Sequence, residues 1–270
     1  MEKQYILHRH YRRRDACGFL LPFFTQKWYT SQETEKTGPA EDISEISYHD
    51  GKGSVKMKTY ELGDPDSGIV LIQPVDDHDL EGIENEFAAI INSCNRNFRL
   101  IAVRIDHWNI DLSPWEAPAV FGKENFGNGA SETLGELLKL CSDKSRTYYI
   151  GGYSLAGLFA LWAVYQTDVF KGVAAASPSV WFPGFAEYMR KNEIKTDTVY
   201  LSLGDSEEKA RNPVMAAVGD RIRETYVLLK DRGLNCFLEW NEGNHFKDPD
   251  LRTAKAFAWV LRSGSDASFE

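Results

Sequence analysis

The sequence is poor in cysteine, has no long apolar run, and has an excess of positive charge only at one end. Only four cysteines occur in 270 residues (Cys17, Cys94, Cys141 and Cys236), irregularly spaced and with no C-x-x-C pair. That pattern excludes a structural zinc site and a disulfide framework as organising principles. Cys94 and Cys141 fall in helix-like segments and read as small buried hydrophobes, not nucleophiles. No apolar stretch approaches the roughly 20 residues a membrane-spanning helix needs. The nearest thing to an export signal is Arg12-Arg13-Arg14 followed by the apolar Gly18 to Phe24, which is short, contains Pro22 and lacks a small-residue cleavage site. A soluble cytoplasmic protein, away from membranes, is the expectation.

Basic residues number 31 against 40 acidic ones, a net charge of −9. Phosphate recognition needs concentrated Lys and Arg, so nucleic acid is not the expected partner. The deficit is uneven. Residues 1–30 hold six basic residues against two acidic ones, a balance of +4 that leaves −13 for the rest. Residues 1–44 therefore read as an N-terminal extension. Phe19 to Phe24 and Trp28-Tyr29 are too apolar for a free tail. The extension is expected to pack on the acidic core or on a second subunit, the latter giving a homodimer.

What the sequence does have is core material, with 43% hydrophobic and 13% aromatic residues, and from about residue 45 a regular alternation of strand and helix patterns. Glu45–His49 and Ser54–Tyr60 alternate around a Gly-rich turn, as a hairpin does. Apolar runs at Gly68–Ile72, Phe98–Ile105, Thr147–Ile150, Gly172–Ala176, Thr198–Leu203 and Asn235–Trp240 read as strands. Helical patterns lie between them at Leu80–Asn95, Glu132–Cys141 (with Ser131 as N-cap), Leu155–Gln166, Phe185–Lys191 and Val214–Lys230, and a last helix follows at Asp250–Arg262. Repeated β–α alternation predicts an α/β fold: one domain over residues 45–270 with a mostly parallel central sheet, helices on both faces and an antiparallel N-terminal hairpin.

The sharpest local signal is Gly151-Gly152-Tyr153-Ser154-Leu155-Ala156-Gly157. An apolar strand ends, small residues flank one serine, and an apolar helix begins at once. A serine on a strained strand-to-helix turn needs small neighbours two positions away on either side, here Gly152 and Ala156. Such a turn exposes the hydroxyl, turns the Leu155 amide toward it and sets both at the positive end of the helix. A nucleophilic serine needs a base, and the base an orienting acid. In α/β-hydrolases these follow in the order serine, acid, histidine, in loops after the last strands. His8, His10, His49, His78 and His107 all precede the serine; His245, after the final strand, alone has the right order and loop. The acid belongs after the preceding strand, where Gly204-Asp205-Ser206-Glu207-Glu208 offers three carboxylates. The position three residues after the strand-ending glycine favours Glu207, with Asp205 the runner-up and Glu208 solvated. A second oxyanion donor is expected in the loop after Gly68–Ile72; Pro74 has no N–H, leaving Val75 or Asp76. The neighbouring Asp76-Asp77-His78-Asp79 has no second ligand group at a metal-motif spacing, so neither metal nor other cofactor is expected. Trp108, Trp115 and Trp181 lie in loops where such pockets are walled and would suit an aryl group.

The serine block Gly152–Leu161, the Ser202–Glu208 segment and the Gly243–Phe246 loop resemble the esterase D group of α/β-hydrolases, within it the siderophore-esterase-like (enterochelin esterase) branch. The resemblance spans about residues 60–262, departs from the group in having Ala156 where glycine is usual, and implies a carboxylester hydrolase fold with a Ser154/His245 pair. The expectation is a serine hydrolase acting on a small or aryl ester through an acyl-enzyme. A hydrolase fold whose serine site is vestigial and only binds, or an acyltransferase with an acceptor other than water, is the alternative. Asp106, Asp111 and Glu116 in the aromatic loop speak against a strongly anionic siderophore as the substrate.

Overall fold

A computed structural model describes residues 42–47 and 56–264. The expectations for the N-terminal extension fall almost wholly on residues outside that range. The described part follows the β–α alternation. A hairpin of β1 (Asp42–Ser47) and β2 (Lys56–Gly63) leads to β3 (Ile69–Val75), α1 (Asp77–Cys94) and β4 (Arg99–Arg104). A short helix α2 (Trp108–Asp111) and α3 (Ala130–Leu140) precede β5 (Thr147–Tyr153), α4 (Ser154–Gln166) and β6 (Phe170–Ala176). Then come α5 (Phe185–Lys191), β7 (Thr198–Gly204), α6 (Pro213–Ala216), α7 (Val218–Asp231), β8 (Asn235–Asn241) and α8 (Pro249–Ser263).

The eight strands form one sheet in the order β1-β2-β4-β3-β5-β6-β7-β8. The hairpin lies at one edge, antiparallel within itself and to β4, and every other pairing is parallel. Central strands read as near-continuous apolar runs because both faces are covered: β7 is buried along its whole length and β3 everywhere but its first residue. Alternate side chains feed two cores. Val70 and Ile72 pack with α3, α4, α5 and α7 on one face. Leu71, Val75 and Tyr149 pack with α1 and α8 on the other. Helix α4 is buried on every side from Leu155 to Tyr165, which explains its lack of a polar stripe.

The order of the strands locates the site. From β3 the chain steps to β4 on one side and then crosses to β5 on the other, so the progression reverses between β3 and β5. Open α/β sheets leave a crevice outside the carboxyl ends of the strands at such a reversal. Here those ends are Asp76 and Ser154.

Several element boundaries differ from the sequence reading, each for a local reason. Helix α1 starts three residues early because Asp76 and Asp79 form a reciprocal capping box: the Asp76 carboxylate accepts from the Asp79 amide at 2.8 Å and the Asp79 carboxylate from the Asp76 amide at 3.3 Å. The run Asp76–Asp79 is therefore a helix start, not a loop. Ser131 lies inside the first turn of α3, whose cap is Gly129. The helix expected over Val214–Lys230 is two, broken at Ala217, with Asn212 capping the first.

Candidate active site

Ser154 takes φ +56°, a left-handed conformation that costs a non-glycine residue energy. It opens α4 directly after β5, with Tyr153 still extended. The tightness of the turn accounts for its small residues. A Cβ on Gly152 would stand 2.7 Å from the Ala156 Cβ, and one on Gly157 would stand 3.0 Å from the Gly152 carbonyl oxygen and 3.2 Å from Pro178. A side chain at any of these points would push the helix off the sheet. The Leu155 amide belongs to the first turn of α4, whose N–H groups have no partner within the helix.

Three side chains from three loops meet here. His245, after β8, places Nε2 3.0 Å from Ser154 Oγ. Its Nδ1 lies 2.7 Å from Glu207 Oε2. Glu207 sits in the 3-10 turn Glu207–Lys209 after β7, with its side chain only 5% exposed. Its second oxygen is fully engaged: Oε1 accepts from the Gly204 amide at 2.7 Å, the Ser177 hydroxyl at 2.9 Å and Arg252 Nη1 at 3.1 Å. That leaves Oε2 for the imidazole. Asp205, the other acid considered, faces elsewhere: Oδ1 accepts from the Gly243 amide at 3.0 Å and the Ser206 hydroxyl at 2.9 Å, and these bonds hold its carboxyl below the usual range. Asp205 thus pins the histidine loop without touching the histidine.

Arg252, on α8, is 2% exposed. Besides Glu207, its guanidinium reaches the Tyr153 hydroxyl at 3.1 Å and the Ser177 hydroxyl at 3.3 Å, and it donates to the carbonyls of Glu242 and Asn244 at 3.1 and 3.0 Å. One group therefore ties together the acid, the histidine loop and the residue before the serine. The Tyr153 hydroxyl, which burial pushes up to about 12, donates to the His245 carbonyl at 2.7 Å, and its ring lies 5.1 Å from the imidazole. Sequence reasoning missed Arg252, Ser177 and Tyr153. One signal was available: Arg252 lies on the apolar stripe of the last helix with Thr253, Ala256, Phe257 and Val260, where a charge requires a buried partner.

Ser154, Glu207 and His245 line a cleft of about 910 Å³. Trp108, Phe121 and Trp181 wall one side, with Phe121 and Trp181 in edge-to-face contact at 6.0 Å. Trp115, expected beside them, is not part of this lining. Its indole donates to the Pro183 carbonyl at 2.8 Å and packs on Phe182 and Tyr188, so it holds the loop that carries Trp181. Asp106, Asp111 and Glu116 are likewise not in the lining; Asp76 and Asp79 line it, as do Lys209 and Arg211.

Of the two amides expected to complete an oxyanion site, Val75 is ruled out by its position in the sheet. Its carbonyl accepts from the Ile105 amide at 2.9 Å. In a parallel strand the N–H and C=O of one residue point to the same neighbour, so the Val75 amide faces β4 too. The next residue points the other way, and Asp76 does line the cleft, with its amide held by Asp79 at 3.3 Å. Among the described residues no group of three or more His, Cys, Asp or Glu is placed to hold a metal ion, and no helix is long and apolar enough to cross a membrane.

No protein-family model and no curated protein sequence matches the chain. Solved structures do share its fold. An IroE-like serine hydrolase from Shewanella oneidensis superposes with a TM-score of 0.61 at 14% identity, over 77% of this chain and 76% of that one. The siderophore hydrolase EstA from Aspergillus nidulans gives 0.58 at 18%, over 88% and 99%. A ferulic acid esterase gives 0.56 at 12%, over 83% and 99%. The chain thus has the α/β-hydrolase fold expected from its sequence, a mostly parallel sheet with helices on both faces and an antiparallel hairpin at one edge.

Proposed function

We propose that the protein is a serine carboxylester hydrolase that works through an acyl-enzyme. The observation that carries this reading is the unbroken relay Ser154–His245–Glu207, with contacts of 3.0 and 2.7 Å, at the mouth of a cleft on the sheet's reversal point. His245 takes the Ser154 proton as Oγ attacks an ester carbonyl, and Glu207 fixes the imidazole tautomer and balances the imidazolium. The tetrahedral oxyanion is received by the Leu155 amide and the Asp76 amide. The latter must leave its long bond to Asp79 to do so, and each such donor is worth about 3 kcal/mol of barrier. His245 then protonates the leaving alcohol, and water resolves the acyl-enzyme with the same imidazole as base. The chemistry assigns no step to a metal or an organic cofactor.

The aromatic wall favours an aryl or other flat apolar group on one side of the ester. The name of one structural neighbour, a ferulic acid esterase, fits an ester with an aromatic part. The test is labelling with a fluorophosphonate probe, followed by mass mapping, beside a panel of 4-nitrophenyl and aryl esters. Label on Ser154, and hydrolysis that Ser154→Ala abolishes, are expected. An unlabelled Ser154 together with equal turnover by both proteins would overturn the reading, and acyl transfer to an added alcohol in preference to water would redirect it.

A further inference from the structure

A second cavity, of about 350 Å³, opens beside the catalytic cleft, and the two share His78, Asp79, Phe246 and Pro249 as lining. Glu81 and Glu86 from α1, and Asp248 and Asp250 from the start of α8, complete its charged wall. Among the described residues no Lys or Arg lines it. Acidic side chains alone make only a solvated surface, but this group contains an unmet demand for hydrogen-bond donors. Glu86 is 3% exposed. Its Oε2 accepts from Gln73 Nε2 at 3.2 Å, while Oε1 has no partner, and neither does Gln73 Oε1. Buried oxygens left in this state have given up hydrogen bonds to water without replacement, which is unfavourable. Burial, then the charges of Asp79 and Asp250, drives the Glu86 carboxyl well above its usual range. Burial and the neighbouring Asp76 raise Asp79 to about 6. Phe246, the residue after His245, also lines the cavity and is 83% exposed.

We propose that this cavity is a subsite for a cationic, ammonium-bearing group of the ester substrate, received by Asp79 and Glu86 with the Phe246 ring at its mouth. An ammonium brings three donors and a positive charge. It would serve the carboxyl of Glu86, which lines the cavity and which the fold leaves short of donors, and the ring face adds cation–π attraction. The site rests on the hydrolase reading of the adjoining cleft and deepens it: the substrate carries a flat apolar group on the tryptophan side and a cation on the α1 side. Binding should release protons, because an ammonium favours the ionised form of two carboxyls that burial and neighbouring acids push up. The groups facing Asp79 are Asp76, His78, Glu81 and Glu86 on the α1 side and Asp248 and Asp250 on the α8 side. Acids prevail in this wall: Asn85 donates to Asp250, His78 Nδ1 lies 3.6 Å from Glu81, and the cations Lys209 and Arg211 line the adjoining cleft that Asp79 shares, while no Lys or Arg lines the cavity itself.

The test uses the Ser154→Ala protein titrated by calorimetry with hexylammonium and with hexanol, its neutral counterpart, in two buffers of different ionisation enthalpy. Hexylammonium should bind about tenfold more tightly or better and release protons. The preference should fade at pH 5, where each bound ligand must displace more protons, and both preference and proton release should fade in added Asp79→Asn or Glu86→Gln, the latter being isosteric and outside the capping box. Equal binding of the two probes, or a preference untouched by either variant, overturns the proposal. In the active protein, kcat/KM for 4-nitrophenyl 6-aminohexanoate should exceed that for the heptanoate. Turnover of both esters at one rate sinks the subsite alone. An ammonium preference in binding, without turnover of any ester, supports the cation site and sinks the hydrolase reading.

Discussion

Glu207 and Glu86 are two glutamates buried to nearly the same degree, 7% and 3% exposed, in opposite chemical situations. Glu207 has three donors on one oxygen, an arginine among them, and a histidine on the other. Glu86 has one amide donor at 3.2 Å, an orphan oxygen, and two further carboxylates acting on it. Burial penalises the charged form of any carboxyl; what decides the outcome is the set of donors the fold brings up against it. At Glu207 the fold supplies the whole set, which suits a permanent partner for an imidazole. Around Glu86 the counter-charge is missing, and the supplier we infer is the ligand.

The largest expected effect separates the acid from its neighbours. Glu207→Gln keeps the shape but removes the charge that orients His245, and should lower kcat by about 10³–10⁴. Asp205→Asn, which touches only the loop backbone and Ser206, should cost less than about tenfold by comparison with that loss. Steady-state kinetics on one aryl ester decides between them. Equal losses would mean that loop position, not contact with the imidazole, selects the acid.

Next comes the arginine. Arg252→Met leaves Glu207 buried with its cation gone, and breaking a buried pair from one side costs about 3–5 kcal/mol. The variant should show that loss in urea denaturation. Arg252→Lys restores the charge without the fork, so it should recover part of the stability and less of the rate, because one ammonium cannot span Glu207 and the carbonyls of Glu242 and Asn244. Full recovery of rate by lysine would reduce Arg252 to a charge with no positioning role.

How far the sequence discloses this site depends on the reach of the interactions involved. The serine turn is written in seven adjacent residues, because steric crowding at Gly152, Ala156 and Gly157 is local. His245 follows from chain order alone. The choice between Glu207 and Asp205 is not local: both leave the same strand end, and only the histidine loop, 38 residues on, distinguishes them. Arg252 lies 45 residues from Glu207 and 99 from Tyr153, and no short pattern encodes such contacts. Asp76–Asp79 misled for another reason. A helix cap and an acidic loop share a composition, and the reciprocal bonds that separate them exist only once the helix has formed. The strands and the longer helices are readable because both faces of the sheet are covered, whereas the short helix α2 (Trp108–Asp111), in a segment that reads as loop, and the cap and break at Ser131 and Ala217 are not.

A smaller effect is expected at Glu86, where the glutamine variant should gain stability relative to wild type as the pH rises. A carboxyl whose folded pKa is raised above its unfolded value of about 4.5 favours the native state below that value, and the advantage fades as the pH rises toward the folded pKa. In that window native stability falls by about 1.4 kcal/mol per pH unit. Glu86→Gln carries no proton to lose, so its stability relative to wild type should improve from pH 5 to pH 8. Urea midpoints at the two pH values check it. A gap that stays constant with pH would show that the unfavourable burial of Glu86 has been relieved by other means.

The smallest effect probes redundancy on the saturated side. Ser177→Ala removes one of three donors on Glu207 Oε1 and one acceptor for Arg252. The Gly204 amide and Arg252 remain on that oxygen, and Arg252 keeps Tyr153, so the loss should be near the ordinary net worth of one hydrogen bond, about 1 kcal/mol. The rate should fall only a few-fold, with the acidic limb of the pH–rate profile unmoved. A collapse comparable to that of Glu207→Gln would mean the three donors act as one unit, each useless without the others. Ser177 holds φ +41°, a strained value that alanine tolerates no better than serine, so the backbone contribution is the same in both proteins and the measured difference belongs to the hydroxyl.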